Sequence, residues 1–282
     1  MSEIATLLVC CRDQKGLVAS LAQVLYGHGV NILDSDQHVD PQAGQFFQRI
    51  RFDLSDMRTD RISLRASIRE VAERFEMRWR WAESNRAPRV ALFVSRYDHC
   101  LYDLLWRYRA GELSCEIPLV LSNHADLANV AQQFGVRFEL LPSSESGERD
   151  SRSFELLESQ EVDTIVLARY MQILSDEFVS RYRDRIINIH HSFLPAFVGS
   201  KPYHRAHERG VKLIGATAHY VTHELDEGPI IEQDVVRSSH RDSVQDLLRK
   251  GRDLEKLVLA RALRWHLEDR VLVYDNKTVV FE

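Results

Sequence analysis

Residues 90–121, VALFVSRYDHCLYDLLWRYRAGELSCEIPLVL, decide the architecture of most of the chain. Val90 to Val94 is an unbroken apolar run, Leu101 to Tyr108 reads as a helix, and Ile117 to Leu121 is a second apolar run. Strands without polar alternation need cover on both faces, and strands that alternate with helices become parallel neighbours in one sheet. The alternation continues with a helix over Leu127 to Phe134, a strand over Phe138 to Leu141, a helix at Phe154 to Leu157 and a strand over Thr164 to Ala168. A helix at Phe178 to Tyr182 leads into a strand around Asn188. Ala216 to Val221 and Pro229 to Val235 read as extended segments around a loop holding Asp226 and Gly228. Val244 to Leu267 is a long helix, and Val271 to Phe281 a hairpin turning at Asp275-Asn276-Lys277. In such sheets ligands sit at the carboxyl ends of the strands.

Upstream of residue 90 the pattern is different. Ile4 to Cys10 suits a buried strand, broken by Arg12-Asp13-Gln14-Lys15-Gly16. Leu17, Val18, Leu21, Val24 and Leu25 repeat at helical spacing, and Gly27 with Gly29 closes that helix. Val30-Asn31-Ile32 opens an extended piece; a turn over Pro41 to Gly44, a strand over Gln45 to Leu54, a helix over Ile62 to Phe75 and a strand over Met77 to Trp81 follow. The order β-α-β-β-α-β is that of a ferredoxin-like α+β module, with Ala82 to Arg89 as a linker. The boundaries are therefore a first domain at 1–82, a linker at 83–89 and a second domain at 90–282.

Composition excludes several classes of function. The formal charge of −5 and the absence of a Lys/Arg run give no reason to expect a nucleic-acid partner. The four cysteines, Cys10, Cys11, Cys100 and Cys115, have neither metal-ligand nor disulfide spacing, and read as reduced thiols. The N-terminus lacks a basic segment followed by an apolar run, and no apolar stretch of about 18 residues occurs, so a soluble, cytoplasmic protein without membrane partners is expected.

The chemistry concentrates in residues 187–226, INIHHSFLPAFVGSKPYHRAHERGVKLIGATAHYVTHELD. Alternation along a strand puts Asn188 and His190 on one face and Ile187 and Ile189 on the other. Together with Asp226 they form a set suited to attack on a carbonyl carbon. Asn188 donates to an oxygen that becomes negative. His190 stabilises that oxygen or delivers a proton to a departing nitrogen, and Asp226 either orients the imidazole or takes a proton from water. Ser192 lies close, but no G-x-S-x-G elbow surrounds it, so direct attack by water or an amine fits better than a covalent intermediate. The neighbouring His191, His204, His207, His219 and His223 lack the spacing of a metal site, and neither metal nor cofactor is expected.

Ile187 to Pro195, Gly215 to Val221 and Leu225-Asp226-Glu227-Gly228-Pro229-Ile230 together resemble the folate-dependent formyltransferase family, which includes glycinamide ribonucleotide formyltransferase. The resemblance implies a Rossmann-like catalytic domain with a mostly parallel sheet, and Asn188, His190 and Asp226 as its catalytic trio. It also implies that Met171, Gln172, Ile173 and Leu174, with His223, Glu224 and Leu225, hold the pterin of a folate. On apolarity alone Met171, Ile173 and Leu174 would be core residues, and the family commonly has Arg where Gln172 stands. Asp13-Gln14-Lys15-Gly16-Leu17-Val18, at the turn into the first helix, resembles the ACT domain. That implies a homo-oligomer and an amino-acid effector, glycine or methionine, near Asp13, Gly16, Leu17 and Asn31.

Two departures separate branches of the family. The loop Ser95-Arg96-Tyr97-Asp98-His99-Cys100 has no glycine with which to cradle the phosphate of a ribonucleotide acceptor. An ACT-like module in front of the catalytic domain resembles the branch in which water replaces the amine. The implied reaction is hydrolysis of 10-formyltetrahydrofolate to formate and tetrahydrofolate, maintaining one-carbon balance and formate supply to purine synthesis. The alternatives are formyl transfer to an amine and a non-catalytic binding regulator.

Overall fold

The computed structural model describes residues 3–83, 86–141, 146–195 and 202–282, and the chain divides into two compact units. In the first, β1 (Ile4–Arg12), α1 (Leu17–Gly27), β2 (Asn31–Asp40), β3 (Gln45–Asp53), α2 (Arg61–Arg74) and β4 (Arg78–Glu83) follow the ferredoxin-like order. Their sheet runs β2-β3-β1-β4 with every pair antiparallel. Leu17, Leu21 and Leu25 of α1, and Leu64, Ile68 and Ala72 of α2, fall four apart and pack on Leu7 and Val9 of β1. Leu8 and Cys10 alternate to the other face, which explains why the strand is apolar throughout: that face is buried as well.

Its cover comes from the end of the chain. Leu272, Tyr274 and Phe281 close over Leu8, Cys10 and Phe47, with the Phe47 and Tyr274 rings 4.5 Å apart. Residues 269–274 and 278–282 therefore belong to the first unit, whereas the sequence placed all of 90–282 in the second. The correction has a simple cause: a hairpin's apolar face must be buried, but its sequence does not say against what. Of the expected linker 83–89, Ser84 and Asn85 lie outside the described residues; Glu83 ends β4 and Arg89 begins the next strand.

The second unit contains β5 (Arg89–Val94), α3 (His99–Arg109), β6 (Glu116–Ser122), α4 (Ala128–Gln133), β7 (Arg137–Leu140), α5 (Ser146–Ser159), β8 (Thr164–Ala168), α6 (Asp176–Arg181) and β9 (Ile186–His190). After these come α7 (Pro202–Arg209), β10 (Leu213–Tyr220), β11 (Ile230–Arg237) and α8 (Val244–Leu267). Its seven-stranded sheet has the order β11-β10-β9-β8-β5-β6-β7. From β9 to β7 neighbours are parallel; β10 and β11 add antiparallel at the other edge, so the sheet is mostly parallel as expected. Phe154 of α5 and Phe178 of α6 cover one face over Phe93 and Leu167, while α8 packs against α3, β9, β10 and β11. The chain leaves β5 toward one edge and β8 toward the other, which opens a crevice at their carboxyl ends.

Among the described residues no helix is long and apolar enough to cross a membrane. All four cysteines are buried, and none forms a disulfide.

Candidate active site

The crevice is a cavity of about 660 Å³, within the range of small-molecule sites. β9 ends in it. Ile187 and Ile189 are buried in the sheet, while Asn188 and His190 line the cavity with Asp226. Asp226 sits on the loop between β10 and β11 in a left-handed conformation, φ +58°. Gly228 fixes that loop: a Cβ there would lie 1.8 Å from the Tyr220 carbonyl oxygen, so only glycine permits the approach. The Tyr220 N–H donates to the Pro229 carbonyl at 2.9 Å, and Asn276 Nδ2 donates to the Glu227 carbonyl at 2.8 Å.

His190 Nδ1 lies 3.1 Å from Asp226 Oδ2, and the His190 Nε2 is buried with no hydrogen-bond partner among the described residues. Buried polar atoms are normally satisfied, so an unpaired nitrogen in a cavity marks where a ligand's polar atom belongs. Burial alone would raise the Asp226 carboxyl. The hydrogen bond from His190, foremost, and the closeness of the His219 imidazole outweigh it and hold the group well below the usual carboxylate range.

His219 is the member the sequence left among the nearby histidines. It faces Asn188 in the β9/β10 register. Its Nδ1 lies 2.9 Å from the Tyr220 carbonyl oxygen, which can only accept, so Nδ1 carries the proton. The neutral ring then offers Nε2 to Asn188 Nδ2 at 3.2 Å, which fixes the amide and leaves its second N–H for a ligand. His219 Nε2 is also 3.6 Å from Asp226 Oδ1. The signal available in sequence was strand alternation, since Thr217 and His219 share a face between small alanines. His191 lines the cavity too; burial first, then the charges of Arg169 and His190, push it down to about 3.

The second half of the cavity is apolar. Met171, Gln172, Ile173, Leu174, His223, Glu224 and Leu225 all line it beside the trio. Met171 is 56% exposed, Ile173 72% and Leu225 64%, so the first two are not core residues and Leu174 alone packs partly into the core. Their loop is held from behind: the Met171 N–H donates to Ser95 Oγ at 3.0 Å, and Arg149 Nη2 donates to the Ile173 carbonyl at 3.1 Å. Arg149 Nη1 also donates to Gln172 Oε1 at 3.3 Å. A rigid loop that presents bare apolar side chains suits a flat heteroaromatic ring. Ser192 is buried and does not line the cavity.

Asp13, Gly16, Leu17 and Asn31 belong to the first unit. Gly16 caps α1 at φ +95°, Leu17 is buried in the core, and the Asp13 N–H donates to the Gly44 carbonyl at 2.9 Å. Asn31 opens the exposed strand β2.

A family model described as formyl transferase matches residues 88–263, and one described as ACT domain matches residues 5–61. The chain is 56% identical to a formyltetrahydrofolate deformylase of Synechocystis sp., over 98% of each chain. It is 51% identical to one of Bacillus subtilis, over 98% of this chain and 93% of that one. The crystal structure of a formyltetrahydrofolate deformylase from Pseudomonas syringae superposes with a TM-score of 0.96 at 47% identity, covering 100% of this chain and 95% of that one. A glycinamide ribonucleotide transformylase from Symbiobacterium toebii gives a TM-score of 0.67 at 30% identity, covering 97% of its own chain but 71% of this one.

Because the folded Asp226 carboxyl lies below its ordinary value of 3.8, the stability it contributes is complete above that value and is lost as pH falls through the depressed one. Asp226→Asn should therefore lower the thermal midpoint at neutral pH, by a gap that closes as the solution is acidified below 3.8. Melting curves across that range check this, and a gap independent of pH would contradict the depressed Asp226 carboxyl.

Proposed function

The chain belongs to the formyl transferase family, with an ACT domain ahead of the catalytic unit, and from that premise we propose that it hydrolyses 10-formyltetrahydrofolate to formate and tetrahydrofolate. The observation that carries the chemistry is the buried His190 Nε2, without a partner among the described residues and backed by Asp226. The exposed apolar loops at Met171 to Leu174 and His223 to Leu225 hold the pterin.

A carboxylate held as low as Asp226 is a weak base, so it acts through His190 rather than on the water. Neutral His190, its Nδ1 proton on Asp226, takes a proton from water at Nε2 as the water oxygen bonds to the formyl carbon. The free N–H of Asn188 donates to the formyl oxygen as it becomes negative. The imidazolium, stabilised by Asp226, passes its proton to N10 as the carbon–nitrogen bond breaks. The formic acid so formed loses its remaining proton to solvent. No metal or cofactor enters these steps.

Transfer to an amine has weaker support. Two side chains of the Ser95 to Cys100 loop are turned to internal tasks: Ser95 donates to Asn123 Oδ1 at 2.6 Å and His99 pairs with Glu255 at 2.8 Å.

The ACT match and the left-handed turn at Gly16 support an amino-acid effector, glycine or methionine, bound near Asp13, Gly16 and Asn31, and the exposed edge strand β2 supports pairing with a second copy. Leu17 serves this turn from the core.

Asn188→Ala should lower kcat for formate release by roughly 100- to 1000-fold, with the affinity for folate nearly unchanged. A loss of less than about threefold would remove Asn188 from the oxyanion site. Calorimetric titration with glycine and with methionine should give saturable heat with one of them; none with either would remove the effector.

A further inference from the structure

Opposite the apolar loop, the cavity has a charged wall that the hydrolytic steps leave unused. Its centre is Glu255 on α8, only 1% exposed. Glu255 Oε1 accepts from the Tyr203 hydroxyl at 2.8 Å, and Oε2 lies 2.8 Å from His99 Nε2. Tyr203 reaches it because residue 251, one turn earlier on α8, is glycine: a Cβ there would lie 2.0 Å from the Tyr203 hydroxyl oxygen. Burial would raise the Glu255 carboxyl; the His99 hydrogen bond and the Arg169 charge outweigh it, and the group stays ionised.

Both carboxylate oxygens are thus engaged before Arg169 arrives. Its Nε reaches Glu255 Oε2 only at 3.6 Å and has no hydrogen-bond partner among the described residues. The guanidinium lies 4.8 Å from the centre of the Tyr97 ring and lines the cavity. Arg169 is 9% exposed. Its backbone is left-handed, φ +64°, a conformation that costs a residue with a Cβ and persists where function requires it. A buried guanidinium short of acceptors, at the carboxyl end of β8, is arranged for a ligand that brings acceptors with it.

The ligand that fits is a small planar carboxylate, whose two oxygens match the guanidinium fork. Hydrolysis generates one in this cavity. We propose that Arg169 is the receiving site for the formate released at the trio, an assignment that rests on the hydrolytic reading above. The Arg169 charge is felt at the trio's edge, where it contributes to the lowering of His191. A fixed cation there also repels a protonated amine, which favours water as the acceptor.

The test is titration of ¹³C-labelled formate onto the full-length protein without folate, followed by NMR, for the wild type, Arg169→Gly and Arg169→Lys. Glycine accepts φ +64° without strain, which offsets part of what Arg169→Gly loses by removing the cation beside buried Glu255, and a cooperative melting curve establishes that the variant is folded before it is titrated. The expected result is saturable binding to the wild type, weakened roughly tenfold to a hundredfold in Arg169→Gly and less in Arg169→Lys. No saturable binding to the wild type, or equal affinity in a folded Arg169→Gly, would overturn the proposal. Should Arg169→Gly fail to fold, equal affinity in Arg169→Lys, which keeps the charge but not the fork, would overturn it as well. Turnover of 10-formyltetrahydrofolate is measured in parallel. Wild-type turnover without formate binding sinks the formate site alone; no turnover sinks hydrolysis itself, and with it formate as the ligand.

Discussion

The contact between His190 Nδ1 and Asp226 Oδ2 joins two pieces of chain that are distant in sequence: the end of a buried strand and the loop that follows its antiparallel neighbour in the sheet. Each partner arrives by a separate constraint. His190 is carried by β9, whose isoleucines are locked in the sheet, and Asp226 by a loop that lies flat only because Gly228 has no side chain. His219 stands between the two: its Nε2 accepts from the Asn188 amide and lies 3.6 Å from the Asp226 carboxylate. Move the loop, and the orientation of the imidazole, the tilt of the amide and the depressed carboxyl are lost together. Preorganisation of this kind costs the protein stability in the free state, and the left-handed Asp226 is one visible place where it does.

The wall around Glu255 bears on the choice between water and an amine. In a chain whose catalytic unit also resembles a glycinamide ribonucleotide transformylase, acceptor choice must come from residues around the trio rather than from the trio. Here the loop after β5 carries no glycine, and Tyr97 and His99 from it are built into the network that holds Arg169 and Glu255. The same side chains that would obstruct a phosphate cradle thus hold a cation in the wall of the cavity that the trio lines. Hydrolysis instead of transfer is, on this view, a property of packing and charge next to Asn188, His190 and Asp226.

Much of this was legible in the sequence, for identifiable reasons. Continuous apolar runs announced the strands of the parallel sheet, and the spacing of Asn188, His190 and Asp226 in a familiar string pointed to the trio. The apolar run of β1 announced burial on both faces but not that the far end of the chain supplies one of them. Helix α7 escaped because its sequence is mostly charged residues and histidines, and among its described side chains only Tyr203 and Ala206 are buried. Met171 and Ile173 read as core on apolarity alone, yet lie exposed on a loop whose backbone Ser95 and Arg149 hold. Arg169 left no trace at all, because a left-handed backbone at a non-glycine residue has no signature in composition or periodicity.

The central claim is that water, and not an amine or a side chain of the protein, attacks the formyl carbon. Turnover of 10-formyltetrahydrofolate in ¹⁸O-enriched water, with no amine added and the released formate read by mass spectrometry, tests it directly. The account predicts steady formate release, with one heavy oxygen in each formate formed. Formate without the label, or release that begins only when an amine is supplied, would contradict it.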